Sequence, residues 1–186
     1  MIVGLTGRNA SGKGTVGEWL IAQGFFYTSL SDAIRVWLRE QGKETTRDNL
    51  TWAGRTLREQ GGAGVLATRT LATLVPGKDA IVDSVRTPAE VRELRQRADF
   101  VLVEVWADER TRYERLRARG RAGDAADFSE FQRQEAAELT ATSAAGQMLV
   151  ATAELADFRV SNDGEPAELV ALLASELPRW REFRRS

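Results

Sequence analysis

The stretch Ile2-Val3-Gly4-Leu5-Thr6-Gly7-Arg8-Asn9-Ala10-Ser11-Gly12-Lys13-Gly14-Thr15 decides the fold. It opens on a short apolar run of strand type and passes through glycines at fixed offsets before a lysine and a hydroxyl. The residues that follow, with Val16, Trp19 and Leu20 on one face, carry helical spacing. Glycine at such offsets lets backbone N–H groups curl around an anion. The helix that follows turns its positive end toward the same point, and Lys13 adds a mobile charge. The stretch therefore reads as a phosphate cradle between a strand and a helix, the mark of a nucleoside triphosphate site. Its contact residues would be Arg8, Asn9, Ala10, Ser11, Gly12, Lys13, Gly14 and Thr15. The competing reading is a flexible turn before an ordinary helix.

Composition supports the cradle from another side. Of 26 basic residues only Lys13, Lys43 and Lys78 are lysines, and the other 23 are arginines. A chain that otherwise prefers arginine keeps a compact ammonium where backbone encloses phosphate oxygens and a planar guanidinium is too large. The balance of 26 basic against 27 acidic residues argues against a broad nucleic-acid face, which needs a basic excess. The absence of cysteine excludes disulfides and thiolate metal sites, and the absence of histidine removes histidine-activated nucleophiles and the common zinc sites. Phosphoryl transfer survives that exclusion, because it relies on positioning and positive charge. Nothing reads as a signal peptide or a membrane span, so a cytoplasmic location is expected. The 186 residues suit one domain with a mobile insert, and either a monomer or a homodimer.

Beyond the cradle, short apolar runs recur at Ala80-Ile81-Val82, at Phe100 to Val105 and at Phe158-Arg159-Val160, with a weaker one at Phe25-Phe26-Tyr27. Helical patterns separate them, which predicts a parallel sheet covered by helices. The first helix should end at Gly24. Another should start at Thr87-Pro88-Ala89-Glu90, a threonine N-cap with proline in the first turn and glutamate at the capping-box position. Asp108 is expected to cap a helix, and Ser129 another. Residues 42–74 read as an insertion over the sheet, with a helix over 46–60 and a glycine-rich break. Residues 118–127 lack apolar anchors and read as a mobile loop, part of a lid region over 118–133. Residues 178–186 read as a frayed or surface-docked end.

A phosphotransferase must hold two anionic substrates in line, so the second needs cations of its own. Ser31-Asp32-Ala33-Ile34-Arg35 follows the second strand, and Asp83-Ser84-Val85-Arg86 ends the third. Carboxyl ends of parallel strands meet at one crevice, so Asp32, Arg35, Asp83 and Arg86 should converge beside the cradle. Surface salt bridges are the competing reading of Arg35 and Arg86, and a plain helix cap that of Asp32. Asp83 and Thr15 are the candidate oxygen donors near a magnesium ion, although Gly14 rather than a hydroxyl residue follows Lys13 directly. Arg115, Arg119, Arg121 and Arg133 surround a glycine-bearing loop, and Arg119 with Arg121 are the preferred pair to close over the transferred group. Asn162 would edge a purine ring or simply belong to a turn with Asp163 and Gly164. Trp52 would stack on an acceptor base or pack in the interior.

With these residues in place, the chain resembles the nucleoside monophosphate kinase group of phosphate-loop kinases. Gly12-Lys13-Gly14-Thr15 looks like the adenylate kinase form of the cradle, Ser31 to Arg35 resembles the acceptor-phosphate motif, and Asp83 to Arg86 resembles the segment after strand three. In Asp83 to Glu93 and Arg115 to Glu135 the likeness is nearest to kinases labelled dephospho-coenzyme A kinase-like. Ser31 stands where a glycine commonly precedes the aspartate, and Ser84-Val85 replaces the usual Gly-Phe-Pro. The resemblance implies an α/β fold with a five-stranded parallel sheet in the order 2-3-1-4-5, an acceptor-binding insert and a short lid. It also implies ATP and Mg2+, with Lys13, Asp32, Arg119 and Arg121 in catalysis, Arg115 and Asn162 on the nucleotide, and Asp32, Arg35 and Arg86 on the acceptor. That acceptor is expected to be a small phosphate-bearing molecule, a nucleoside or deoxynucleoside monophosphate. The alternatives are phosphorylation of a sugar hydroxyl, with Asp32 as base, and a regulatory protein that binds nucleotide without transfer.

Overall fold

The computed structural model describes residues 1–120, 125–140 and 144–183. In chain order the elements are β1 (Ile2–Thr6), α1 (Lys13–Ala22), β2 (Phe26–Ser29), α2 (Leu30–Glu40), α3 (Arg47–Gly61), α4 (Val65–Leu71) and β3 (Ala80–Asp83). They continue with α5 (Pro88–Leu94), β4 (Phe100–Trp106), α6 (Glu109–Arg119), α7 (Phe128–Thr140), α8 (Ala144–Glu154), β5 (Phe158–Ser161) and α9 (Pro166–Glu182). The five strands form one parallel sheet in the order β2-β3-β1-β4-β5. β1 is central, with Ile2 level with Ala80 on one side and Phe100 on the other. The expected fold, a phosphate-loop kinase-like α/β sheet in that order, is the one observed.

Alternation along β1 and β4 divides the interior into two layers, because successive strand side chains point to opposite faces. Val3, Leu5, Val101, Val103 and Val105 pack with Val16 and Leu20 of α1 and Leu169, Leu173 and Trp180 of α9. Ile2, Phe100 and Leu102 face the other way, against Leu30, Leu57, Leu66, Val91 and Leu94. Helices α3 and α4, within the segment 42–74, thus put side chains into the core.

Several helix ends follow from local chemistry. Thr87 accepts from the Glu90 amide at 3.1 Å while Glu90 accepts from Thr87, closing the expected capping box. Asp108 caps α6 as expected, accepting from the Arg110 amide at 2.8 Å. The cap of α7 is Asp127 instead of Ser129: its carboxylate accepts from the Glu130 amide at 2.8 Å and from the Ser129 hydroxyl at 2.7 Å. Serine there is a second contact to a better acceptor.

Two further expectations give way. Ala125 is buried with Tyr113, Leu116 and Phe131, an apolar anchor at the far end of the expected loop 118–127, whose residues 121–124 lie outside the described residues. The chain end through Phe183 is neither frayed nor superficial: α9 carries Trp180 into the core at 1% exposure, against Phe158 with ring centroids 6.1 Å apart. Full burial of so large a ring stabilises the fold by about 3 kcal/mol. Among the described residues no helix is long and apolar enough to cross a membrane.

Candidate active site

The cradle lies between β1 and α1 and bends through three left-handed residues, Gly7 (φ 135°), Ala10 (φ 59°) and Gly12 (φ 96°). At Gly7 a side chain would strike the Val105 carbonyl, and at Gly12 it would strike the Asn162 amide nitrogen, so sterics and backbone conformation both require glycine. Ala10 carries its methyl against Tyr113, Leu116 and Phe131, a packing contact that helps to offset its unfavourable φ.

Lys13 starts α1 and folds back over the loop, donating to the carbonyls of Gly7 at 2.7 Å and Arg8 at 2.9 Å. Burial pushes its ammonium down from 10.5 to about 8; Asp83 draws it back up, while Arg86 and Arg112 lower it further. The loop itself is held from behind. Asn162 donates from its side-chain amide to the Ser11 carbonyl at 2.9 Å, and Arg115 donates to the Asn162 carbonyl at 2.7 Å. Asn162, read as a purine edge or a turn residue, thus holds the loop with its side-chain amide. Arg115 braces the same turn. Asp163 accepts from the Asp108 amide and the Ser161 hydroxyl, locking the turn after β5.

The carboxyl ends of β2 and β3 bring the second set of residues to the cradle. Asp83 accepts from the Ser84 amide at 2.6 Å and from the Tyr27 hydroxyl at 2.8 Å. Burial and the hydrogen bond to Asp83 push the Tyr27 phenol up, the charges of Asp83 and Asp32 add to this, and Arg35 opposes them. Asp32, Arg35, Tyr27, Asp83, Lys13 and Arg86 therefore share one electrostatic neighbourhood. Ser84 has φ 65°, so it adopts a left-handed backbone conformation that is unusual for a residue with a side chain.

Within that group the roles divide. Asp32 completes the α2 cap by accepting from the Ser29 amide at 2.9 Å and pairs with Arg35 at 2.8 Å, so both competing readings, helix cap and salt bridge, describe real bonds. The pair is about half exposed and open to a ligand. The Arg86 guanidinium is exposed and makes no hydrogen bond or ion pair among the described residues; only its backbone amide is engaged, with Glu90. Thr15 is exposed in the first turn of α1. Arg119 is exposed at the end of α6, Arg133 is exposed on α7, and Arg121 lies outside the described residues. In the insert, Trp52 is 43% exposed and lies 5.4 Å from Trp37 between ring centroids, with Lys43 over its ring at 5.1 Å. Arg58 is tied to Glu90 at 3.2 Å, and Arg55 pairs with Glu59.

One cluster escaped the sequence. Arg112, 3% exposed, donates both terminal nitrogens to Glu135 at 2.7 Å each, and its Nε donates to the Ala107 carbonyl at 3.1 Å. Glu135 also accepts from Arg8 of the cradle at 2.8 Å. Burial alone would raise the Glu135 carboxyl, but the hydrogen bonds and charges of Arg112 and Arg8 more than offset it and hold the group below the usual range. Beside these residues a cavity of about 750 Å³ is lined by Gly7, Arg8, Glu104, Trp106, Arg159 and residues of α8.

Comparison with known proteins places the chain. The AAA domain family matches residues 3–138. A UPF0200 protein of Hyperthermus butylicus is 33% identical over 165 residues, covering 88% of this chain and 86% of that protein. The chain belongs to the UPF0200 family. A second UPF0200 relative, from Pyrococcus abyssi, is 31% identical and covers 88% of each chain. Among solved structures, shikimate kinase from Bacteroides thetaiotaomicron superimposes with a TM-score of 0.60 at 12% identity, over 96% of this chain and 98% of that one. A gluconokinase from Sinorhizobium meliloti gives 0.52 at 19% identity, over 97% and 93%. At these identities the likeness establishes the fold alone, a phosphate-loop kinase-like α/β fold. A nucleotide-binding loop of this UPF0200 chain follows from the matched domain.

Proposed function

We propose that this protein is a kinase that transfers the γ-phosphoryl group of ATP to a phosphate-bearing small molecule of the nucleoside monophosphate class. The observation that carries the proposal is the meeting of two cation sets at one sheet edge. Lys13 and the loop amides take the donor phosphates, while Arg35 on α2 and Arg86 in the loop after β3 face the same neighbourhood. The Arg86 guanidinium is exposed and makes no ion pair among the described residues, so a phosphate would be its close counter-ion. Arg119, with Arg121, would approach the transferred group as charge builds.

Thr15 and Asp83 are hard oxygen donors at the right end of the sheet, and both suit magnesium that keeps several waters. Thr15 would hold the ion by its hydroxyl and Asp83 through water. The ion would neutralise charge on the β- and γ-phosphates. Lys13 exchanges its two loop carbonyls for phosphate oxygens, Tyr27 orients the Asp83 carboxylate, and Asn162 with Arg115 keeps the loop shape. Asp32, engaged by the Ser29 amide and Arg35, serves as a support for Arg35 rather than a base.

A screen of ribo- and deoxynucleoside monophosphates with ATP and magnesium tests the assignment, with turnover of at least one expected. No turnover with any of them rejects it. Asp32→Asn separates the competing hydroxyl acceptor: a modest loss fits a phosphate acceptor, and collapse of turnover fits a hydroxyl that needs a base.

A further inference from the structure

We propose that Arg8 is a movable arm for the terminal phosphate of the bound nucleotide, and that Glu135 is its resting place in the empty protein. The inference rests on the nucleotide reading above, where Arg8 is one contact residue of the cradle, and gives its side chain a role of its own.

The ion cluster is asymmetric. Glu135 takes two parallel bonds from Arg112, whose side chain is 4% exposed, and one from Arg8, whose side chain is 39% exposed. Arg112 is also fixed by the Ala107 carbonyl and stacks on Phe131 at 5.4 Å. Arg8 can leave without stranding a buried charge, because Glu135 keeps its bidentate partner. Arg112 cannot. The same asymmetry gives Glu135 two cations for one negative charge, so the second guanidinium is held less firmly than an exclusive partner.

Position supplies the ligand. In cradles of this type the lysine reaches the β- and γ-phosphates. Here the Lys13 ammonium already touches the Arg8 carbonyl, so Arg8 borders the end of the loop where the terminal phosphate sits. The cavity of about 750 Å³ beside Gly7 and Arg8 gives the guanidinium space to turn without displacing packed atoms. Glu104, on the cavity floor and already paired with Arg159 at 3.0 Å, lies within the field of Arg8 and offers no stronger anchor than Glu135. A dianionic phosphate does. As Arg8 turns inward, Glu135 and α7 remain joined to α6 through Arg112, so the exchange leaves the base of the lid region in place.

The test is calorimetric titration of the full-length protein and of Arg8→Met with magnesium and either β,γ-imido-ATP or ADP. The expected result is affinity about tenfold weaker for the triphosphate analogue in the variant, as loss of a charge-assisted hydrogen bond implies, with ADP binding unchanged. Arg8→Lys should recover part of the loss. Equal weakening of both nucleotides overturns the proposal, since it assigns Arg8 to loop shape alone; unchanged binding of both overturns it as well. Should the parent protein bind neither nucleotide, the nucleotide reading itself fails and takes this one with it.

Discussion

Two acid–arginine pairs invite comparison: Arg112–Glu135, which also holds Arg8 of the cradle, and Arg35–Asp32 on α2. Both have bonds of 2.7–2.8 Å, yet the first is almost wholly enclosed and the second is about half exposed. Burial alone separates their roles. An enclosed pair cannot lose one member without leaving an uncompensated charge, so it acts as a rivet between α6 and α7. An exposed pair exchanges freely with water and contributes little to stability, as the proposed acceptor role of Arg35 requires.

Breaking the enclosed pair should have the largest effect. Glu135→Ala is expected to cost about 3–5 kcal/mol in urea unfolding at neutral pH. Because the folded carboxyl lies below its ordinary 4.5, the contribution is complete above that value and is lost as pH falls through the depressed one. A cost near that of a surface pair would erase the contrast.

Lys13 should give the next largest effect. Its folded value of about 8 lies below the ordinary 10.5, so between these the unfolded chain holds the extra proton and stability of the nucleotide-free protein rises with pH. The difference in unfolding free energy between parent and Lys13→Met should shift by about 2–3 kcal/mol from pH 7 to pH 10. A flat difference would place the ammonium in water.

Arg35→Ala sharpens the comparison from the exposed side. Stability should change by less than about 1 kcal/mol, while KM for the phosphate acceptor rises about tenfold. A large loss of stability with unchanged KM would make this pair a rivet too. The smallest effect concerns Ser84, whose left-handed backbone is strained for a side chain. Ser84→Gly should stabilise the fold by no more than about 1 kcal/mol, read as a small rise in the urea midpoint.

The contrast also explains what the sequence could convey. The cradle and the Thr87 cap were legible because their chemistry is contiguous and neighbouring residues carry the whole signal, whereas the strand order came from the family resemblance. Glu135 and Arg112 are separated by 23 positions, and Arg112 stands in a helix with Arg110, Arg115, Arg117 and Arg119, where only burial distinguishes it. Trp180 was obscured by Pro178 and its arginine neighbours, since proline inside a helix normally argues for an end. Asn162 sat in a turn-forming Asn-Asp-Gly run, and its reach to Ser11 spans 151 positions, so no local pattern could announce it.

That reach has a practical corollary. The α-carbon of Gly12 lies so close under the Asn162 amide that even a methyl group must push the amide aside. Gly12→Ala would therefore unhook the strand-five turn from the loop while preserving Lys13, Thr15, Asp83, Arg35 and Arg86. Such a protein would serve as an inert reference in which the chemical equipment is intact and only its scaffolding has come loose.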